Sequence, residues 1–364
     1  MTSREAFQRI MKYEPADRFP LMVIDPYESV TVDRWHKEGV PQGVSPARFL
    51  QMDVPPDFGI DLQPSPAFER RIISENEKEF IEVNYLGATV RRAKEAPNMF
   101  YGYIDHPVKS MADWREYKKR MNARTPGRLT GGVEEIINAV NSASVPVGLH
   151  LYPWFFRLGF FLLGMERFLT AFYDDPEMMH DLFAHHSQFV LEVIRPLLGR
   201  AKFDYACFVE DLAYRNGPHI SPEIYREFWL RHQDPLAREL EKAGIPIISM
   251  YTSGNCEALL PLMMEHGINC TWPCERNAAM DPLNLRKKFG KDLRLVGGVG
   301  HTSLAKNPAA VDAEIERLTP LMKEGGFIPM VDDMVPPEVP FANYRHCIET
   351  LRKLRPQKGG PAHA

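Results

Sequence analysis

Residues 245–282 read IPIISMYTSGNCEALLPLMMEHGINCTWPCERNAAMDP. An apolar run over residues 245–250 leads into Tyr-Thr-Ser-Gly-Asn, then a helix-like segment, then a second short apolar run ending at Cys274-Glu275. Apolar runs of that length, bounded by turn residues and separated by a helical pattern, predict a parallel β-α-β unit whose strands are buried on both faces. Polar residues then gather where the strands end, which in barrels of such units is where chemistry is placed.

Outward from this unit the same rhythm recurs. Strands are expected at residues 19–25 (FPLMVID), around Phe58, and at residues 145–153 (VPVGLHLYP), 203–211 (FDYACFVED), 245–253, 268–275, 293–300 (LRLVGGVG) and 327–333 (FIPMVDD). Eight parallel strands close a barrel, so the fold class expected is α/β, a (β/α)8 TIM barrel. Residues 69–94 depart from the pattern: apolar and charged residues alternate around polar turns, which predicts an antiparallel hairpin inserted before a helix near residues 111–121. A leading helix over residues 3–12 and a capped helix within TVDRWHKEGVP complete an N-terminal helical and β-hairpin insertion. Proline at the first helical position opens a helix over residues 175–198, and Ser221 caps another running to Ala243, with a kink expected at Asp234-Pro235. Residues 1–356 form one expected domain, and residues 357–364 a loose tail.

With 364 residues and 44% hydrophobic content the chain can bury a large core, although length alone also permits two domains. A net charge of -4 and the absence of a long basic block exclude a nucleic-acid partner. The start, MTSREAFQRIMKYEP, has no apolar signal region, and the most apolar run, residues 154–163, is broken by Arg157 and too short to span a bilayer. A soluble, cytoplasmic protein without a membrane partner is expected. Five cysteines in a chain this long make no disulfide framework. Cys270 and Cys274, if both on a strand, would lie about 13 Å apart, too far to share a metal.

The strand ends collect Asp25, His150, Tyr152, Glu210, Asp211 and Tyr251, then Ser253, Cys274, Glu275, His301, Asp332 and Asp333. Acids, imidazoles and phenols converging on one mouth suit proton transfer or Lewis-acid chemistry. Each also has a plainer reading: Asp25 and Asp332 as turn caps, His150 as a hydrogen-bonded core histidine, His301 as loop. Glu210 and Asp211 are adjacent, so their carboxylates point to opposite sides and only one can face the core cheaply. Tyr251 and Ser253, two apart, share a face. The aromatic patch of Tyr152, Trp154, Phe155, Phe156, Phe160 and Phe161 is core, or in part the wall of an apolar substrate site.

Three stretches carry a family resemblance. SGNCEALLPLMMEHGINCTWPCERNAAMDPLNLRKKFGKDLRLVGGVG, VEDLAYRNGPHISPEIYREFW and VPPEVPFANY resemble, in the right order, segments of the uroporphyrinogen decarboxylase superfamily, whose fold is a TIM barrel. True uroporphyrinogen decarboxylases grip the tetrapyrrole carboxylates with an Arg-Gln-Ala-Gly-Arg stretch. The matching region here is VIDPYESVTVDRW, without that arginine pair, which disfavours haem synthesis. The other branch consists of corrinoid-dependent methyltransferases, which pass a methyl group to the cobalt of a partner protein. The resemblance therefore implies a small O- or N-methyl donor, a corrinoid (cobalamin) carried by a partner protein, and demethylation as the reaction.

Members of that branch hold zinc with a His-x-Cys pair, a glutamate and a late cysteine. The corresponding positions here are Tyr251 and Ser253, Glu275 with Cys274 beside it, and Asp333, so one ligand of four is kept. A hard set such as Glu210, Glu275 and Asp333 would suit a different divalent metal or none. The expected site assigns Glu210, Asp211, Tyr251 and His150 to catalysis, Tyr152, Trp154, Ser253, Asn255 and His301 to substrate, and Glu275, Asp333 and Cys274 to any metal. Two alternatives stay open: a decarboxylase or lyase acting on a smaller acid, and a non-catalytic binding member. Oligomeric state is open as well, a homodimer included.

Overall fold

The computed structural model describes residues 1–23, 27–94 and 102–355. Asp25 and the expected tail over residues 357–364 lie outside the described residues. Two sheets organise the fold. The first is an antiparallel meander of β1 (Arg71–Glu75), β2 (Glu79–Val83), β3 (Thr89–Ala93) and β4 (Gly102–Asp105), paired in sequence order. The expected hairpin is thus two strands larger than the alternation indicated, and it precedes the helix Met111–Lys118 as expected. The meander's wet edge strand, β1, is exposed throughout, whereas Val90 and Glu82 are buried.

The second sheet is parallel. β5 (Gly148–Leu151), β6 (Tyr205–Val209), β7 (Ile248–Tyr251), β8 (Cys270–Trp272), β9 (Arg294–Val299) and β10 (Phe327–Val331) are hydrogen-bonded in that order. Registers such as Leu149↔Ala206, Ser249↔Cys270 and Leu295↔Phe327 bring all six C-terminal ends to one side. Six of the expected strands are therefore built, each a few residues shorter than its apolar run. Their near-complete burial on both faces is the reason the sequence shows continuous apolar runs there instead of alternation.

The first two expected strands are built differently. Residues 19–23 make a single parallel bridge, Met22↔Asp53, with Asp53 N donating to Leu21 O at 2.9 Å and Leu21 N to Asp53 Oδ2 at 2.6 Å. The Phe58 region forms a two-residue antiparallel ribbon, Gly59–Ile60 against Leu129–Thr130. Pro20, Pro55 and Pro56 explain the shortfall, because each removes a ladder donor from the strand it would join.

Helix α1 (Ser3–Met11) closes the opposite side of the parallel sheet. A capping box between Thr2 and Glu5 starts it, and Ile10 O accepts from Gly326 N at 2.7 Å. Arg4 pairs with Asp204 at 3.0 Å, just ahead of β6, while Phe7, Ile10 and Met11 are buried. Burying each such side chain contributes roughly 1.5–3 kcal/mol. After β5 come α2 (Phe155–Leu163), α3 (Met165–Asp174) and α4 (Pro176–Ile194), the last capped by Asp175 onto Met178 N at 3.2 Å. The helix opened by Ser221 changes pitch before its proline: a π segment spans Tyr225–Leu230, and Pro235 lies inside α5 (Arg231–Lys242). Widened turns of this kind often mark functional sites.

Candidate active site

Glu210 follows β6 and is fully buried. Its Oε2 accepts from Phe156 N at 2.8 Å and Arg157 N at 3.3 Å, and its Oε1 from Phe156 N at 3.1 Å and Trp229 Nε1 at 2.8 Å. No side chain of its own segment caps α2, so a carboxylate from the neighbouring strand satisfies the free N–H groups of its first turn. Trp229 reaches Glu210 from the π segment. Burial pushes the Glu210 carboxyl up to about 7, against the pull of Trp229, Phe156 and Arg157. Glu210 does not line the cleft described next, and both its oxygens are already engaged. It holds α2 in place, which makes it a positioning residue.

Asp211, the next residue, is only partly buried. It lines a cleft of about 550 Å³ on the C-terminal side of the parallel strands, within the usual size of small-molecule sites. Tyr27, Tyr85, Tyr103, Tyr152, Phe160 and Phe161 supply most of its wall. The rings brace one another: Tyr103 meets Phe160 edge-on at 5.2 Å, and Tyr152 meets Phe161 edge-on at 6.4 Å. The turn between β2 and β3 contributes Asn84 and Tyr85, so the meander forms one side of the cleft.

Arg157 enters this aromatic wall from the first turn of α2. Its Nε donates to Glu210 O at 3.1 Å, and the guanidinium carbon lies 5.7 Å from the centre of the Tyr152 ring. Burial pulls its pKa down, but Asp211, Tyr152, Tyr251 and Glu210 outweigh this and raise it overall. Glu28 and His219 also line the cleft. Burial lowers the His219 imidazole and Asp211 partly offsets it. Sequence reasoning missed Arg157, Glu28 and His219. The signal for Arg157 was the one cation inside the chain's most apolar run, where it served only to exclude a membrane span.

The other expected residues disperse. Trp154 does not wall the cleft: it is fully buried, stacks on Phe155 at 4.3 Å and donates to Gln233 Oε1 at 3.1 Å. Its neighbour Tyr152, two residues earlier, takes the exposed position. His150 faces a separate cavity of about 320 Å³ beside Phe58 and Tyr205, with Nε2 3.2 Å from the Tyr205 hydroxyl, and burial lowers its pKa to about 4. Tyr251 is 4% exposed and meets Trp272 edge-on at 5.8 Å. The four expected catalytic residues thus do not share one cavity, and only Asp211 opens on the cleft.

Around β7 to β10 a second polar cluster forms. Ser253 Oγ donates to Asp333 Oδ1 at 3.4 Å, and Gly254 N donates to Glu275 Oε2 at 2.8 Å. Asn255 accepts from Glu257 N at 3.1 Å, a turn cap. His301 Nδ1 and N lie 2.8 and 2.9 Å from Asp332 Oδ1, and Arg276 N donates to Oδ2 at 3.1 Å, so Asp332 ties two loops together. The Asp332 hydrogen bond raises the His301 pKa, burial notwithstanding.

A family model described as Uroporphyrinogen decarboxylase (URO-D) matches residues 80–354, three quarters of the chain. The chain belongs to that family. Among curated URO-D proteins it is 24% identical over 267 residues to uroporphyrinogen decarboxylase of Pseudomonas paraeruginosa, covering 70% of this chain and 71% of the relative. It is 27% identical over 221 residues to that of Nocardia farcinica, covering 58% of each. A solved methyltransferase from Methanosarcina mazei superposes with a TM-score of 0.64 at 14% identity, over 96% of this chain and 98% of the other. That likeness shows the fold, a URO-D-type TIM barrel, with β5 to β10 as its regular part.

In this URO-D chain the zinc set implied by the resemblance does not fit. Cys274, Glu275 and Asp333 do not converge: among the described residues no three His, Cys, Asp or Glu side chains are grouped to hold a metal. Cys274 is buried with its Sγ 3.7 Å from Thr271 O, and burial pushes its thiol well up. All five cysteines are buried and unbridged. Among the described residues no helix is long and apolar enough to cross a membrane.

Proposed function

We propose that this chain is a methyltransferase that removes a methyl group from a small O- or N-methyl compound bound in the aromatic cleft and passes it to a corrinoid protein docked over the mouth. The family and the fold support an enzyme. The observation that carries the reading is the charge of the cleft: Arg157 is its one described arginine or lysine, beside the acids Glu28 and Asp211. A tetrapyrrole with eight carboxylates needs several cations, and these walls would repel it. A small, largely apolar molecule suits them.

A reduced corrinoid, when bound, supplies the electron pair that takes the methyl group. The chain's own residues do the rest. The aromatic wall excludes water and fixes the substrate by contact area. Arg157, held by the Glu210 carbonyl, presents its guanidinium to a polar or anionic group of the bound substrate and so orients it. Glu210 sets the position of that guanidinium through α2.

The test is methyl transfer from a panel of methyl ethers and N-methyl compounds to a reduced corrinoid protein, followed by the cobalt absorbance. Substrate-dependent methylation that falls at least about 10-fold in Arg157→Ala supports the reading. Release of carbon dioxide from a carboxylated substrate without any corrinoid overturns it.

A further inference from the structure

The cleft combines four features that its aromatic character alone does not explain. Two carboxylates, Glu28 and Asp211, line it together with an arginine. Arg157 spends only Nε on the protein, and among the described residues its terminal nitrogens have no hydrogen-bond partner. Its guanidinium already lies over Tyr152, so this wall holds a cation against a ring face. Tyr27 is fixed beside Glu28 by its hydroxyl contact with Tyr344 at 2.9 Å and by edge contact with Trp35 at 5.2 Å. A ligand of one charge would satisfy one pole and be repelled by the other.

We infer that the cleft takes a zwitterion: an N-methylated quaternary ammonium carboxylate with an apolar body, its ammonium against Tyr27 beside Glu28 and its carboxylate on Arg157. Tyrosine faces attract a quaternary ammonium, which has no N–H to donate, and a nearby carboxylate strengthens the attraction. The planar guanidinium fork matches a carboxylate. A cleft of about 550 Å³ leaves room for an apolar body beside the two charged groups.

This class rests on the proposed methyl transfer for its chemistry and makes that chemistry simpler. The carbon–nitrogen bond breaks with its electron pair going to nitrogen. The pair of the new bond to carbon comes from the reduced corrinoid, and a neutral tertiary amine departs. No proton is required, consistent with Glu210 being engaged elsewhere.

The experiment is calorimetric binding to the full chain without any corrinoid, using N,N,N-trimethylphenylalanine, phenethyltrimethylammonium and 3-phenylpropanoate. The zwitterion is expected to bind about 10- to 100-fold more tightly than either single-charge probe. Glu28→Gln should weaken the two ammonium probes and spare 3-phenylpropanoate, and Arg157→Met should weaken the two carboxylates and spare the ammonium. Arg157→Lys, which keeps the charge, should recover part of the carboxylate affinity and controls for folding. Equal affinity for all three probes, tightest binding of 3-phenylpropanoate, or no binding of any overturns the inference. Zwitterion binding without methyl transfer to corrinoid overturns the proposed function alone, whereas demethylation of neutral methyl ethers with no zwitterion binding overturns this inference alone.

Discussion

Glu210→Gln separates a positioning carboxylate from a chemical one, and its effect can be worked out from the site. The folded carboxyl is pushed up to about 7 from a value near 4.5, mainly by burial. Between those pH values the folded state binds more protons than the unfolded state, so Glu210's contribution is fully favourable below 4.5 and is lost as pH rises through 7. The shift corresponds to about 3 kcal/mol. Glutamine does not titrate, but it offers one acceptor where two are used, and its amide would face either Trp229 Nε1 or the N–H groups of Phe156 and Arg157. That mismatch costs about 1–3 kcal/mol at every pH. His150, His186 and His232, each lowered to about 4, act with the opposite sign, because the unfolded state gains their protons as pH falls below about 6.5. They are common to both proteins and cancel in the difference. Urea unfolding followed by circular dichroism from pH 4.5 to 8 should therefore show the wild-type advantage over Glu210→Gln shrinking by about 3 kcal/mol. A difference constant within about 1 kcal/mol would mean the N–H donors keep Glu210 ionised throughout, refuting burial as the dominant influence.

Four further outcomes follow from the packing. Gly297→Ala should destabilise by more than about 3 kcal/mol in thermal unfolding, because a Cβ there would lie 1.7 Å from Pro273 O at a φ of +108°. Asp332→Asn should lower the His301 pKa measured by NMR titration, since its strongest raising partner loses its charge. Trp154→Phe should cost about 1–3 kcal/mol by orphaning Gln233 while leaving ligand affinity in the cleft unchanged by calorimetry. Tyr152→Ala should weaken cleft ligands by about 1–3 kcal/mol with little change in melting temperature, as the residue is 39% exposed.

The sequence carried the six regular strands because burial on both faces leaves uninterrupted apolar runs between turn residues. It misled at residues 19–25 and near Phe58, where apolar residues persist but prolines remove the ladder donors. The polar rim was legible as a set of residue types and not as a geometry. Glu210 and Asp211 were recognisable as a pair, yet which one met the core depended on α2 starting beside the C-terminal end of β6. The role of Arg157 was hidden for the same reason: its importance comes from Glu210, Asp211 and Tyr152, which lie on other segments or in another turn. Trp154 and Tyr152 could not be told apart by composition, since the residue that faces solvent depends on how the chain leaves β5.

The meander of β1 to β4 stands outside the parallel sheet but lends Asn84, Tyr85 and Tyr103 to the cleft. Exchange of residues in its turns can therefore alter which molecule is accepted while the ladder that fixes the barrel keeps every bond. Descendants of one such scaffold could diversify their diets through this appendage alone, leaving the ancestral engine beneath it untouched.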